Sequence, residues 1–338
     1  MSDKELSHKM QVFAALKELV EKSQTIAICG HTSPDGDALG SALGLALGLR
    51  SLFPDKHIVN LLADSVDPGH IYSFLPGISQ MVHAGDYAET PDLMIVVDLS
   101  VSHRLNDAQA VLKRAHATAI LDHHPCEHPF GDVSYIKPDA AAAGVVIFDF
   151  LRYLGVSITP DIAQNLFCAL MTDTGRFQYQ NANPEAFEVA SQLVNFGADP
   201  SVVSLNIYQN ASLGYLHLKA LVMGRITCFC NGKIAYSYAT RADYVRFGVS
   251  LEESEGLVDA VRCTSGAEIV LFLKEVCDAT IRGNLRSKSE IDISGVAASF
   301  GGGGHKAAAG FTIDASLDEA FSLVLPKLQE LITQKESL

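Results

Sequence analysis

The chain has 338 residues, seven cysteines, twelve histidines and a formal net charge of −14. That length suits two ordinary domains better than one core, the odd, scattered cysteines point to reduced thiols in the cytoplasm, and the negative balance opposes a groove for a long polyanion. No apolar run is long enough to span a bilayer, and Met1 to Glu21 reads as a charged amphipathic helix rather than a signal peptide.

Strand patterns at Thr25 to Cys29, His57 to Leu62, Leu93 to Val97 and Thr118 to Leu121 are each followed by turn residues or a helix, the rhythm of a parallel α/β sheet. Such sheets bind ligands at the carboxyl ends of their strands, and three of these four ends carry Asp or His. Helical patterns follow at Ala141 to Leu154 and Asp161 to Thr172, and Pro184 to Tyr208 reads as a helical connection. Arg225 to Cys230 and Lys233 to Tyr238 flank Asn231-Gly232, whose residues tolerate the positive φ of a type I′ hairpin turn. Strands at Glu268 to Phe272, Ala279 to Leu285 and Ala309 to Ile313, a glycine run, and a helix after Leu317 complete a smaller mixed α/β unit. The expected division is a metal-binding catalytic domain over 1–188, a helical linker over 189–215 and a substrate-binding domain over 216–338.

Cys29, Cys168 and Cys263 lie among apolar residues and are expected to be small buried hydrophobes. Cys228-Phe229-Cys230 has no second Cys or His pair at zinc-finger spacing and is expected to pack rather than ligate.

The chemistry gathers after the strands. His31-Thr32-Ser33-Pro34-Asp35-Gly36-Asp37 leaves the first strand candidate, Asp98 ends the third, Asp122-His123-His124 ends the fourth, and Asp173 ends a helix. Taken singly, Asp35 and Asp37 suit a turn or a helix cap, Asp98 a turn, and Asp173 a helix end. Capping does not account for a histidine and two aspartates on one loop, or for Asp-His-His at a strand end. Carboxylates gathered without cations repel one another, and carboxylate with imidazole and no thiolate is a donor set for Mn²⁺, Mg²⁺ or Fe²⁺.

These residues resemble, in order, the four motifs of the DHH phosphoesterases: His31-x-x-Pro34-Asp35-x-Asp37, Asp98, Asp122-His123-His124 and Asp173. The second half is similar to a DHHA1 domain through Phe300-Gly301-Gly302-Gly303-Gly304-His305-Lys306. The resemblance implies two divalent ions, most readily Mn²⁺: His31, Asp35 and Asp98 hold one, while Asp37, Asp98, His123 and Asp173 hold the other, with Asp98 bridging. It further implies that His124 faces the reacting phosphate as a catalytic group beside Asp98, and that Asp122 orients a histidine. Substrate contacts are expected from Arg104, and in the second domain from Arg262, Arg286, Gly302, Gly303, Gly304 and His305. Ala140 to Gly144 stands where many relatives carry hydroxyl residues, which counts against side-chain contacts from that turn.

The bare two-domain organisation resembles the nano-RNase and 3′-phosphoadenosine 5′-phosphate (pAp) phosphatase subgroup. Short RNA or DNA oligonucleotides and small nucleotides are the expected substrates, with no long nucleic acid and no membrane, and a homodimer is compatible with the chain. A soluble cyclic- or linear-dinucleotide phosphodiesterase is the alternative of the same class. A non-catalytic nucleotide sensor is the alternative from another class, although none of the expected ligands is missing.

Overall fold

The computed structural model describes residues 3–336 and divides into two compact units, Met1–Asn210 and Ala211–Leu338. In the first unit six strands, β1 (Thr25–Cys29), β2 (His57–Leu62), β3 (Val82–His83), β4 (Leu93–Val97), β5 (Ala117–Asp122) and β6 (Val133–Ile136), form one sheet in the order β3-β2-β1-β4-β5-β6. All its pairings are parallel. The helices are α1 (Asp3–Lys22), α2 (Gly36–Leu52), α3 (Gln109–Arg114), α4 (Ala143–Leu154), α5 (Pro160–Asp173), α6 (Pro184–Asn195) and α7 (Pro200–Val203), with a π-helical turn at Ser204–Tyr208. The expected N-terminal helix is α1; Met1 and Ser2 lie outside the described residues.

Both faces of this sheet are covered, so its central strands are largely apolar runs; all of β4 is buried, as a doubly wound sheet requires. Ile26, Ile28, Ile95 and Val97 face Phe13, Leu39, Leu43 and Phe150 on one side. Ala27, Cys29, Met94 and Val96 face Tyr87, Leu105, Ala108 and Val111 on the other. The chain winds outward from β1 through β2 to β3, then resumes at β4 and proceeds the opposite way. The carboxyl ends of β1 and β4 therefore diverge at the point where strand order reverses, the crevice in which such sheets bind ligands.

Helix α2 lies against α5 with almost no gap. A Cβ at Gly40 would sit 2.3 Å from the Asn165 carbonyl oxygen and 3.0 Å from the Ala169 amide nitrogen, so only glycine permits this approach. Asp37 lies on the first turn of α2 and Asp173 on the last residue of α5, and the glycine contact between them holds the two carboxylates together.

The second unit holds β7 (Thr227–Phe229), β8 (Ile234–Ala239), β9 (Ile269–Cys277), β10 (Thr280–Ser287), β11 (Gly303–His305) and β12 (Ala308–Asp314), ordered β11-β12-β10-β9-β8-β7. β8 and β9 are parallel and the other neighbours antiparallel. Asn231 and Gly232 join β7 to β8 with φ of 52° and 84°, the signs a type I′ turn demands. α8 (Leu213–Gly224), α9 (Arg241–Phe247) and α10 (Leu257–Arg262) cover β8 and β9 on one face, while α11 (Ser294–Ala298) and α12 (Leu317–Glu336) cover the other. Part of the glycine run, expected as loop, is strand β11.

Cys29 and Cys168 are buried, but Cys263 is exposed. It follows the last residue of α10, whose apolar face is already turned to the sheet by Leu257, Val258 and Val261. Cys228 is exposed as well, and no metal-type cluster among the described residues includes a cysteine. No helix among the described residues is long and apolar enough to cross a membrane.

Candidate metal centre

Asp98 sits at the centre of the constellation. It directly follows β4 with φ of 57°, an uncommon left-handed conformation for a residue with a side chain, and is 2% exposed. Its Oδ2 lies 3.4 Å from His31 Nε2 and its Oδ1 lies 3.4 Å from His123 Nε2 and from His124 Nδ1. Oδ1 is buried yet accepts no hydrogen bond. One carboxylate thus separates two imidazoles.

On one side stand His31, Asp35 and Asp98, on the other Asp37, His123 and Asp173; within each trio the candidate ligand atoms lie within 4.8 Å of one another. His31 Nδ1 meets the Thr32 carbonyl at 2.8 Å and His123 Nδ1 meets the Ala140 carbonyl at 3.1 Å. A carbonyl only accepts, so each Nδ1 donates, and in the neutral ring each Nε2 carries the lone pair that faces the carboxylates. Asp35 is the N-cap of α2, accepting from the Asp37 and Ala38 amides at 3.0 Å, and its side chain remains half exposed. The capping contacts leave Asp35 beside His31, with His31 Nε2 3.9 Å from its Oδ1.

Asp37 is held by a helix other than its own. The Ala143 and Gly144 amides donate to it at 2.6 and 3.0 Å, and the Ser41 hydroxyl at 3.0 Å. The N-cap of α4 is Ala142, which offers no side-chain cap, so Asp37 serves as that cap and takes the favourable end of the α4 dipole. The alanine-rich turn thus reaches the site through backbone N–H groups. Asp173 accepts from Asn181 Nδ2 at 3.2 Å, and the same amide also donates to the Ala141 carbonyl at 3.0 Å.

Asp122 acts on a different histidine from the one that faces Asp37. Its Oδ1 accepts from the His123 and His124 amides at 2.7 and 3.1 Å and contacts His124 Nδ1 at 2.8 Å. The carboxylate therefore orients His124, while the backbone orients His123. Burial disfavours the cation at His124, but Asp122 and Asp98 outweigh it and raise its pKa.

The electrostatics show a site short of positive charge. Burial, reinforced by Asp98, drives Asp37 well above the usual carboxylate range, and burial pushes Asp173 up to about 7. Burial also opposes the charge on Asp98, yet His123 and His31 hold its carboxyl low. Buried carboxylates that cannot all ionise beside histidines, together with an orphaned Asp98 oxygen, fit a site for metal cations.

Arg104 lies on a 3₁₀ segment, Ser102–Ala108; its carbonyl accepts from the Thr32 amide at 2.8 Å, beside the His31 loop. In the second unit, Arg286 of β10 pairs in register with Ala308 of β12, which pairs with His305 of β11. Arg286 and His305 therefore flank a methyl-sized floor on one sheet face, two strand spacings or roughly 10 Å apart. Arg262 ends α10 and its carbonyl accepts from Lys288 at 3.1 Å. Gly302 lies against β12, where a Cβ would meet the Gly310 carbonyl oxygen at 2.1 Å; a Cβ on Gly303 would meet nothing, and Gly304 has φ of 140°. Lys274 of β9 is fully buried and paired with Glu255 at 2.6 Å; the sequence carries no sign of it, because its neighbours read as a plain apolar strand.

Residues 25–170 match the DHH family, N-terminal domain, and residues 231–334 match the DHHA1 domain. The chain is 26% identical over 327 residues to the bifunctional oligoribonuclease and PAP phosphatase NrnA of Thermus thermophilus, covering 96% of this chain and 95% of that protein. It is 29% identical over 319 residues to the protein of the same name from Bacillus subtilis, with 92% and 96% covered. The fold is similar to that of an exopolyphosphatase-related protein from Bacteroides fragilis, with a TM-score of 0.87, 24% identity, and 95% and 96% of the two chains covered. With both domains matched in order and the motif residues drawn together around Asp98, the chain carries a DHH-family N-terminal domain over residues 25–170 and a DHHA1 domain over residues 231–334.

Proposed function

We propose that this protein is a two-metal phosphoesterase that hydrolyses short oligoribonucleotides and pAp to mononucleotides. The observation that carries the reading is the placement of Asp98, one oxygen toward His31 Nε2 and the other toward His123 Nε2 at 3.4 Å each. The names of the Thermus and Bacillus relatives supply the substrate class.

In this reading His31, Asp35 and Asp98 hold one divalent ion, and Asp37, Asp98, His123 and Asp173 hold a second. Mn²⁺ suits their oxygen and imidazole donors best. Bound there, such ions lower the pKa of a water and neutralise charge on the phosphoryl oxygens. His124 does separate work. With Nδ1 against Asp122, it holds its exchangeable proton at Nε2 and donates it to the departing ester oxygen as a general acid. Arg104 is a cation for a nonbridging phosphate oxygen. In the second unit, Arg286, His305, Arg262 and the backbone of Gly302 to Gly304 are groups for the part of the nucleotide that does not react.

The test is a substrate panel for the Mn²⁺-loaded protein: pAp, dinucleotides, a five-residue RNA, cyclic dinucleotides and an RNA of about 24 residues, long enough to fill a single-strand groove. The highest kcat/KM is expected for pAp and the linear dinucleotides. A preference for the longest RNA or for cyclic dinucleotides would reject the assignment. His305→Ala should impair dinucleotides far more than nitrophenyl phosphate, which has no second nucleotide to lose; equal losses would remove His305 from the substrate site.

A further inference from the structure

Of the four strand ends that point to the site, β2 is the one whose chemistry the motifs leave out. Two residues beyond it stands Asp64, whose carboxylate gathers three donors from two distant segments. Thr32 Oγ1 and the Ser33 amide donate to it from the loop that carries His31. Asn106 Nδ2 donates at 2.9 Å from the 3₁₀ segment that carries Arg104. The Asp64 carbonyl in turn meets His83 Nδ1 at 2.7 Å, and the preceding Ala63 carbonyl accepts from the Asp107 amide at 3.1 Å. Sheet, His31 loop and Arg104 segment are thus tied at one point.

Two of the three donors sit on strained backbone. Ser33 has φ of 50°, and Asn106 has φ of 42° with ψ of −120°. Residues with side chains keep such conformations only where their surroundings enforce them. The single carboxylate that both segments share is the visible enforcer. Thr32 transmits the restraint: its hydroxyl is on Asp64, its amide on the Arg104 carbonyl, and its own carbonyl on His31 Nδ1, the contact that turns His31 Nε2 toward Asp98.

We propose that Asp64 is a positioning residue for the metal centre, which fixes the His31 imidazole and the Arg104 segment in one frame through Thr32. Asp64 touches neither ion nor substrate. It sets the direction of a ligand and the distance of a substrate cation from it. This inference rests on the two-metal reading above, and the two fail in different ways.

The experiment titrates Mn²⁺ into metal-free wild-type protein and its variants by calorimetry, with thermal melts and pAp kinetics alongside. Asp64→Ala is expected to weaken one ion by about 10–100-fold, the usual effect of losing a partner that orients a ligand, and to leave the other as in the wild type. KM for pAp should rise as Arg104 loses its frame. Asp64→Asn, which keeps one acceptor oxygen, should recover part of both losses. Thr32→Val should weaken the same ion, and in the double variant Asp64→Ala with Thr32→Val the losses should fall short of their sum, because the Thr32–Asp64 hydrogen bond is common to both. Wild-type affinity for both ions in Asp64→Ala overturns the proposal, as does an equal loss of both ions accompanied by a collapsed melting point, which would mark Asp64 as a fold determinant alone. Wild-type protein that binds no divalent ion defeats the metal reading itself, whatever the Asp64 variants do.

Discussion

Gly40→Ala tests how the fold brings Asp37 and Asp173 together. The added methyl carbon would stand 2.3 Å from the Asn165 carbonyl oxygen, where ordinary contact begins near 3.4 Å. Both partners are main-chain atoms of packed helices, so no rotamer change relieves the clash, and α2 must part from α5 by about 1 Å. Overpacking of that kind costs about 1–3 kcal/mol, against about 1 kcal/mol returned by replacing a mid-helix glycine with alanine. The net loss of about 1 kcal/mol corresponds to a fall of about 2–4 °C in melting temperature for a unit of this size. Because Asp37 lies one turn before Gly40 and Asp173 one turn after Ala169, the same displacement should weaken the ion proposed for Asp37, Asp98, His123 and Asp173 and spare the other. Gly224→Ala is the control, since a Cβ there meets no atom within 4 Å, and it should melt at or slightly above the wild type. Calorimetric melts combined with Mn²⁺ titration decide the matter. A Gly40→Ala protein that matches the control in stability and the wild type in ion affinity would refute the packing argument.

The two adjacent histidines should separate cleanly: His124→Ala is expected to retain its metal content while kcat falls on the order of 10²-fold, whereas His123→Ala should lose an ion, and metal analysis showing the reverse would exchange their roles. The Arg225–Asp243 pair of the second unit, bidentate and largely enclosed, predicts a pH signature. Burial raises the Asp243 pKa, but Arg225 and Thr240 together hold it below its ordinary value; its folded pKa is thus depressed, so its stabilisation is complete above the unfolded value of about 3.9 and is lost as pH falls through the folded one. Arg225→Met should lower the melting temperature at pH 7 and flatten its decline below about pH 4, and an unchanged acid limb would show that the pair contributes nothing.

The sequence disclosed most of the first unit because buried parallel strands are continuous apolar runs; β1, β2 and β4 span the residues expected of them. It concealed β3 and β6, which have two and four residues, too few for a period to emerge. The motif aspartates were visible because a charge that closes an apolar strand is costly to hold there without a partner. Asp64 was not, since it stands among Ala63, Ser65 and Asp67 and reads as an ordinary polar loop until Thr32, Ser33 and Asn106 are seen to converge on it. Asn181, eight residues past Asp173, was hidden for the same reason: its partners include the Ala141 carbonyl, forty residues away. The role of Asp37 as trans cap of α4 depends on a helix more than a hundred positions later, a pairing that no local pattern encodes.

If Asp98 joins two metal half-sites, its removal empties both, and metal content reports this. Wild type and Asp98→Ala would be equilibrated with excess Mn²⁺, freed of unbound ion by gel filtration and analysed by elemental mass spectrometry, with circular dichroism to establish that both are folded. Two ions per wild-type chain and a loss of both from the folded variant are expected, because this carboxylate stands between His31 and His123. A folded Asp98→Ala protein that retains the wild-type metal content would show that Asp98 joins no metal sites.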